Sequence, residues 1–156
     1  MSRGSPSRWS ARFGRSPVPG IDALVVGAGP AGLATAIGLA RRGARAVVLE
    51  SRRSPLDKAC GEGIMPGGVR LLAELGVDLA RLDGAPMRGI RFVDGRRVLE
   101  GSFATGPGLG VRRTVLSAAL VEAAMRAGVE LHFGCSLKGW RVRSEEHTSE
   151  LQSRGL

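Results

Sequence analysis

A short apolar run that ends in glycine and passes at once into a helix constrains this chain more than any other feature. Ala23-Leu24-Val25-Val26 leads into Gly27-Ala28-Gly29-Pro30-Ala31-Gly32, and an alanine-rich stretch follows to about Arg42, stopped by Gly43. An apolar run of this length closed by turn residues reads as a buried strand. Pro30 suits the first turn of a helix, where its missing N–H costs nothing. Ala46-Val47-Val48-Leu49 is a second buried strand, closed by Glu50. A G-x-G-x-x-G pattern alone is a weak signal. Preceded by a strand, opening a helix and answered by an acid at the end of the next strand, it meets the contextual requirements of a dinucleotide-binding turn. Gly27 permits the tight turn, Gly29 lets a diphosphate approach the backbone, and Gly32 lets helix and strand pack closely. The helix start, including Pro30 and Ala31, offers unpaired N–H groups and a partial positive charge to an anion. Glu50 accepts hydrogen bonds from ribose hydroxyls and repels a ribose 2′-phosphate, which favours FAD or NAD over NADP. Arg52 and Arg53 either flank the adenine or a phosphate, or are solvated loop residues. The competing reading of the turn is a glycine bend that binds nothing.

The rest of the chain continues the alternation. Residues 51–63 read as a loop. Pro66 opens a helix with Val69, Leu72 and Leu75 at helical spacing, ended by Gly76. Residues 87–103 alternate loosely about Asp94-Gly95, a hairpin signal. A long helix is predicted from about Arg113 to Ala127, with Leu116, Ala119, Leu120, Ala123 and Ala127 on one face. Gly128 stops it, 129–133 form a strand, and 137–142 begin another. Strands separated by helices indicate a parallel sheet. The expected fold is therefore α/β: a Rossmann-like dinucleotide-binding domain with a β-hairpin insertion, which the resemblance described below makes an incomplete FAD-binding domain.

Charge and composition remove several other classes. The formal charge of +9 invites a nucleic-acid reading, but only Lys58 and Lys138 of the 23 basic residues are lysines, the arginines are scattered, and aromatic residues make up 4%. A nucleic-acid interface gathers charge on one face and interleaves stacking rings. Cys60 and Cys135 match no zinc spacing and are too few for a disulfide framework, so a reducing, cytoplasmic setting is expected. The uncharged run from Ala23 to Ala40 is broken by Gly27, Gly29, Pro30, Gly32 and Gly38, which argues against a membrane span or a signal peptide. There is no carboxylate pair, no Ser/His/Asp set and no metal cluster. His132 and His147 have no catalytic context.

With these residues in view, DALVVGAGPAGLATAIGLARRGARAVVLE resembles the opening of FAD-dependent monooxygenases and reductases of the p-hydroxybenzoate hydroxylase type. DKACGEGIMPGGVRLLAELGV resembles the geranylgeranyl reductase-like branch, in which a Lys-x-Cys-Gly-Glu/Asp segment follows the ribose-binding strand. VRRTVLSAALVEAAMRAGVEL resembles that family's Arg-x-x-Leu-x-x-x-Leu helix and the strand after it. The resemblance spans about residues 21–142. It implies that Gly27, Gly29 and Gly32 hold the pyrophosphate and Glu50 the ribose. Arg113, rather than Arg112, contacts FAD near its phosphates or ribityl chain, and Cys60-Gly61-Glu62-Gly63 faces the isoalloxazine ring. Two alternatives stay open: Cys60 as a small buried residue in a tight loop, and Glu62 as a cap for the helix at Pro66. The resemblance further implies an oxidoreductase acting on a small-molecule substrate, isoprenoid or aromatic, with NADH or NADPH as electron donor. The rival is a non-catalytic module that binds NAD.

Two later family motifs, one containing Asp-Gly and one Gly-Asp, would fall past residue 143, so the chain reads as an amino-terminal fragment, inactive by itself. Residues 1–20, rich in Ser, Arg, Pro and Gly, read as a disordered leader or translated upstream sequence. Residues 21–142 form the partial FAD/NAD(P)-binding domain. Residues 143–156 read as a non-native tail, since RSEEHTSELQS resembles the in-frame translation of a common short-read sequencing adapter.

Overall fold

A computed structural model describes residues 20–53 and 60–139. The expected leader, apart from Gly20, and the expected tail lie outside the described residues, as do residues 140–142 of the last expected strand. Residues 137–139 carry no strand.

The first strand, β1 (Ala23–Val26), passes through the glycine turn into helix α1 (Pro30–Arg41), and the chain returns as β2 (Ala46–Glu50). Next come β3 (Gly63–Ile64), α2 (Pro66–Glu74), a 3-10 turn (Leu79–Leu82), β4 (Ala85–Met87), β5 (Gly89–Asp94), β6 (Arg97–Ser102) and β7 (Gly108–Gly110). Helix α3 (Arg113–Arg126) and strand β8 (Glu130–Phe133) complete the described fold. β2 lies between β1 and β8, and both pairings are parallel, with Val25 opposite Val48 and Val48 opposite Leu131. The fold is α/β and Rossmann-type. The inserted hairpin is present: β5 and β6 pair antiparallel, with Asp94 opposite Arg97 across the Gly95-Arg96 turn.

One apolar cluster joins the layers. Leu33, Ala36 and Ile37 of α1 meet Ala46 and Val48 of β2, and Leu116, Leu120, Ala123 and Ala124 of α3. Leu33, Ile37 and Leu120 are almost fully buried, and each such side chain contributes about 1.5–3 kcal/mol relative to exposure. Leu72 and Leu75 bring α2 into the same cluster, whereas Val69 at the expected spacing is only partly buried. All three helices end before a glycine in the left-handed region, Gly43, Gly76 and Gly128, as their sequence positions predict.

The loop expected over residues 51–63 is corrected at its end. Gly63–Ile64 forms β3, which pairs with β7, and β7 pairs with β4 on its other edge. This small antiparallel sheet braces the start of α3 against the segment around Cys60.

Candidate functional site

The glycine turn is built as its sequence requires. Gly27 has φ +103°, a conformation strained for any residue with a Cβ. A Cβ on Gly32 would fall inside the van der Waals envelope of the Gly27 carbonyl oxygen, so the turn closes only with glycine there. Gly29 is the N-cap of α1, in extended conformation with no side-chain cap, and Pro30 is the first helical residue. The first intrahelical bond runs from Leu33 N–H to Gly29 C=O at 2.9 Å. Ala31 and Gly32, which precede Leu33 in the first turn, therefore have no intrahelical acceptor, and their N–H groups are left for a ligand or solvent. A Cβ on Gly29 would meet only the Arg113 guanidinium, at 4.0 Å. Gly29 is thus open where Gly32 is crowded: the space beside Gly29 is room for a ligand, faced by a cation and a helix N-terminus.

Glu50 is buried at the end of β2 and clasps the turn. Its Oε2 accepts from Ala28 N–H at 2.9 Å, and its Oε1 accepts from Arg52 N–H at 2.9 Å and Ser51 Oγ at 3.2 Å. Burial, the largest single influence, opposes ionisation. The two backbone donors, the Ser51 hydroxyl and the Arg52 charge together outweigh it, so the carboxyl is held below its ordinary value and stays ionised. Three donors occupy a carboxylate with about four acceptor sites, which leaves capacity for a hydroxyl. The exposed Arg52 thus contributes its N–H and its charge to Glu50, and its C=O accepts from Gly134 N–H. A cleft of about 280 Å³ opens beside Glu50, lined by Val26, Gly27, Leu49, Ser51, Cys135 and Leu137. It lies at the carboxyl ends of β1 and β2, the side on which open α/β sheets bind ligands.

Arg113, the first residue of α3, joins this turn to the Cys60 segment. Its guanidinium stands beside both Gly29 and the Cys60 sulfur. Its Nε is buried with no hydrogen-bond partner among the described residues. Arg112 is exposed and flanks the site as the N-cap of α3. The reading of Cys60 as a small buried residue is corrected: Cys60 is exposed. The Glu62 N–H at 3.4 Å and the Arg113 side chain draw its thiol below the ordinary value. The cap reading of Glu62 is also corrected. Its carboxylate accepts from the Arg113 N–H at 3.1 Å, so it caps α3 and not the helix at Pro66. Gly61 is exposed, with open space where a Cβ would stand, and no close approach of backbone demands glycine there. The sequence carries no signal for the Glu62–Arg113 bond, which crosses 51 residues.

The structure therefore gathers two groups: Gly27 and Glu50 at the cleft, with Ala28 and Arg52 bonded to Glu50, and Gly29, Arg113, Cys60 and Glu62, linked through Arg113. Together they suit a nucleotide, with a hydroxyl acceptor at Glu50 on one side and unpartnered donors for a diphosphate on the other. Among the described residues no three His, Cys, Asp or Glu side chains gather as metal ligands, and no helix is long and apolar enough to cross a membrane.

The family described as FAD binding domain matches residues 20–155. Menaquinone reductase of Mycobacterium tuberculosis is 43% identical over 70 residues, 45% of this chain and 17% of that protein. The 6-methylpretetramide 4-monooxygenase of Streptomyces rimosus is 49% identical over 80 residues, 51% of this chain and 18% of that protein. Among solved structures, a myxobacterial chondrochloren halogenase, a variant of FAD-dependent halogenases, superposes with a TM-score of 0.68 at 26% identity. That match covers 73% of this chain and 28% of that one. The chain thus spans less than a fifth of the length of these two curated relatives.

Proposed function

The chain belongs to the FAD binding domain family, and from that premise we propose that Gly27, Gly29, Pro30, Ala31, Gly32, Glu50, Arg52, Cys60, Gly61 and Arg113 form its FAD site. The observation that carries this reading is the open space at Gly29, where the first turn of α1 and the Arg113 guanidinium converge. The N–H groups of Ala31 and Gly32 bind the diphosphate at the helix terminus. Arg113 neutralises it from the other side, and this gives the buried Nε an acceptor. Glu50 takes a ribose hydroxyl on its remaining acceptor site and excludes a 2′-phosphate by charge. Cys60 and Gly61 lie on the Arg113 side of the site, facing the flavin.

The flavin supplies the redox chemistry, and the chain's own residues bind it, orient it and keep its phosphates out of water. The protein of which this domain is part is an FAD-dependent oxidoreductase, a reductase or monooxygenase, that takes electrons from NADH or NADPH. Its substrate is a small molecule with an isoprenoid or aromatic body, and its setting is cytoplasmic. Two family resemblances support this reading: the Cys-Gly-Glu segment on the reductase side, and the 49% identity to a monooxygenase. Residues 21–142 form the nucleotide-binding unit.

Fluorescence titration with FAD, with NAD as the competitor, tests the assignment. Saturable quenching by FAD, lost in Gly29→Val, is the expected result. Uptake of NAD without FAD would favour a nucleotide-sensing module instead.

A further inference from the structure

Glu62 holds a left-handed backbone with φ +52° although it carries a side chain. Such a conformation persists where the surroundings over-determine it, and it clusters at ligand clamps. Here all three polar groups of the residue are engaged. The N–H points at Cys60 Sγ at 3.4 Å. The C=O accepts from Val111 N–H at 2.8 Å. The carboxylate Oε1 accepts from Arg113 N–H at 3.1 Å. Val111 is the residue that follows β7, and Arg113 opens α3, so Glu62 ties the Cys60 segment to the point where the small sheet hands over to the helix.

We propose that Glu62 is a positioning residue: it locks the Arg113 guanidinium and the Cys60 sulfur against each other beside Gly29, preforming the part of the site that receives the flavin side of the nucleotide. The proposal rests on the FAD reading only for what the pair faces; the lock itself is a property of the ligand-free chain. A carboxylate at the first N–H of α3 fixes the direction in which that turn projects its side chains. Arg113 leaves from that turn, and its guanidinium reaches both Gly29 and the sulfur. Without the carboxylate, the N–H of Arg113 loses its cap, and the backbone ties that remain, the Val111 bond and the β3–β7 pairing, hold β7 and the residue after it but not the first turn of α3.

The test is the pH profile of Cys60 alkylation by iodoacetamide in the ligand-free chain, in a Cys135→Ser background. The Glu62 N–H stays in every variant below, whereas the two effects of its side chain on the thiol have opposite signs. Its negative charge disfavours the thiolate, and its hold on Arg113 favours it. Glu62→Gln removes the charge and keeps an acceptor for the Arg113 N–H, so the alkylation midpoint should stay or fall. Glu62→Ala removes both, Arg113 leaves the sulfur, and the midpoint should rise by about half a pH unit or more. Glu62→Gly relieves the positive φ while also removing the carboxylate. It should fold at least as well as Glu62→Ala and show the same rise, so the test survives if the alanine variant does not fold. A midpoint that falls in all three variants, or moves in none, overturns the proposal. The titration is read without flavin, so it stands or fails whatever the chain's affinity for FAD.

Discussion

The N–H of Ala28 donates to Oε2 of Glu50 at 2.9 Å, across 22 residues of sequence, so the acid that closes β2 also holds the glycine turn. A residue read from sequence as a ribose acceptor is thus part of the scaffold before any ligand arrives.

This dual role predicts a stability change as well as a binding change. Glu50→Gln keeps size but replaces one oxygen with a donor, which must face either Ala28 N–H or the Arg52 N–H and Ser51 hydroxyl. Leaving such a donor unpaired costs about 1–3 kcal/mol, measurable by urea unfolding of the ligand-free chain. The native pKa of Glu50 lies below its ordinary value, so the unfolded chain binds the proton more readily. The contribution is present in full above the ordinary carboxylate value and is lost as pH falls through the native one. The gap between wild type and Glu50→Gln should therefore narrow towards acid. A constant gap would assign the effect to packing.

Gly29 and Gly32 should separate ligand from scaffold. Gly32→Ala drives a Cβ into the Gly27 carbonyl and should destabilise the chain by about 3 kcal/mol, the upper range of overpacking. Gly29→Ala places a Cβ in open space at an ordinary φ of −72°. It should cost at most about 1 kcal/mol as an N-cap change, yet weaken FAD binding severely. Equal losses of thermal stability in the two variants would show that the turn is only structural.

Arg113 should act through geometry as well as charge. Arg113→Lys preserves the cation but loses the planar fork suited to phosphate oxygens. Both Arg113→Lys and Arg113→Ala should weaken FAD binding by about 1–3 kcal/mol in calorimetric titration, alanine more than lysine. Lysine equal to wild type would reduce the residue to a point charge.

Much of this was legible in the sequence, because β1, α1, β2, α3 and β8 announce themselves by apolar runs and helical spacing between glycines. The Asp94-Gly95 signal also located the hairpin. The small sheet was not legible: its strands, Gly63–Ile64, Ala85–Met87 and Gly108–Gly110, are too short and too rich in glycine and proline to show alternation. The same limit hid the partner of Glu62. The bond to Arg113 depends on how β3 and β7 pair, and no local pattern encodes a contact 51 residues away. The sequence leaves Cys60 open between a loop residue facing the flavin and a small buried residue, because its cation, Arg113, arrives from that distant helix.

The β5–β6 ribbon should govern self-association. Phe92 pairs with Leu99, on the same face as Ile90, while Val93 pairs with Val98 on the other face. All five are exposed, Phe92 and Leu99 at 62% and 70%. A two-stranded ribbon is marginally stable alone, and an exposed apolar ribbon with free edges is a template for pairing between molecules. The exposed Arg91–Glu100 ion pair adds little against this. The net charge of +9 keeps copies apart while ionic strength is low, and salt screens that repulsion without weakening apolar contact. Light scattering of the chain should therefore rise with sodium chloride between low salt and about 1 M, where the Debye length is about 3 Å. Phe92→Glu combined with Leu99→Lys removes the larger apolar face and supplies an opposite-charge cross-strand pair. The double variant should stay monomeric across the same range with an unchanged melting temperature, because neither side chain belongs to the core cluster. Salt-induced scattering that persists in the double variant would move the sticky surface elsewhere, to exposed Leu24 and Val26 of β1.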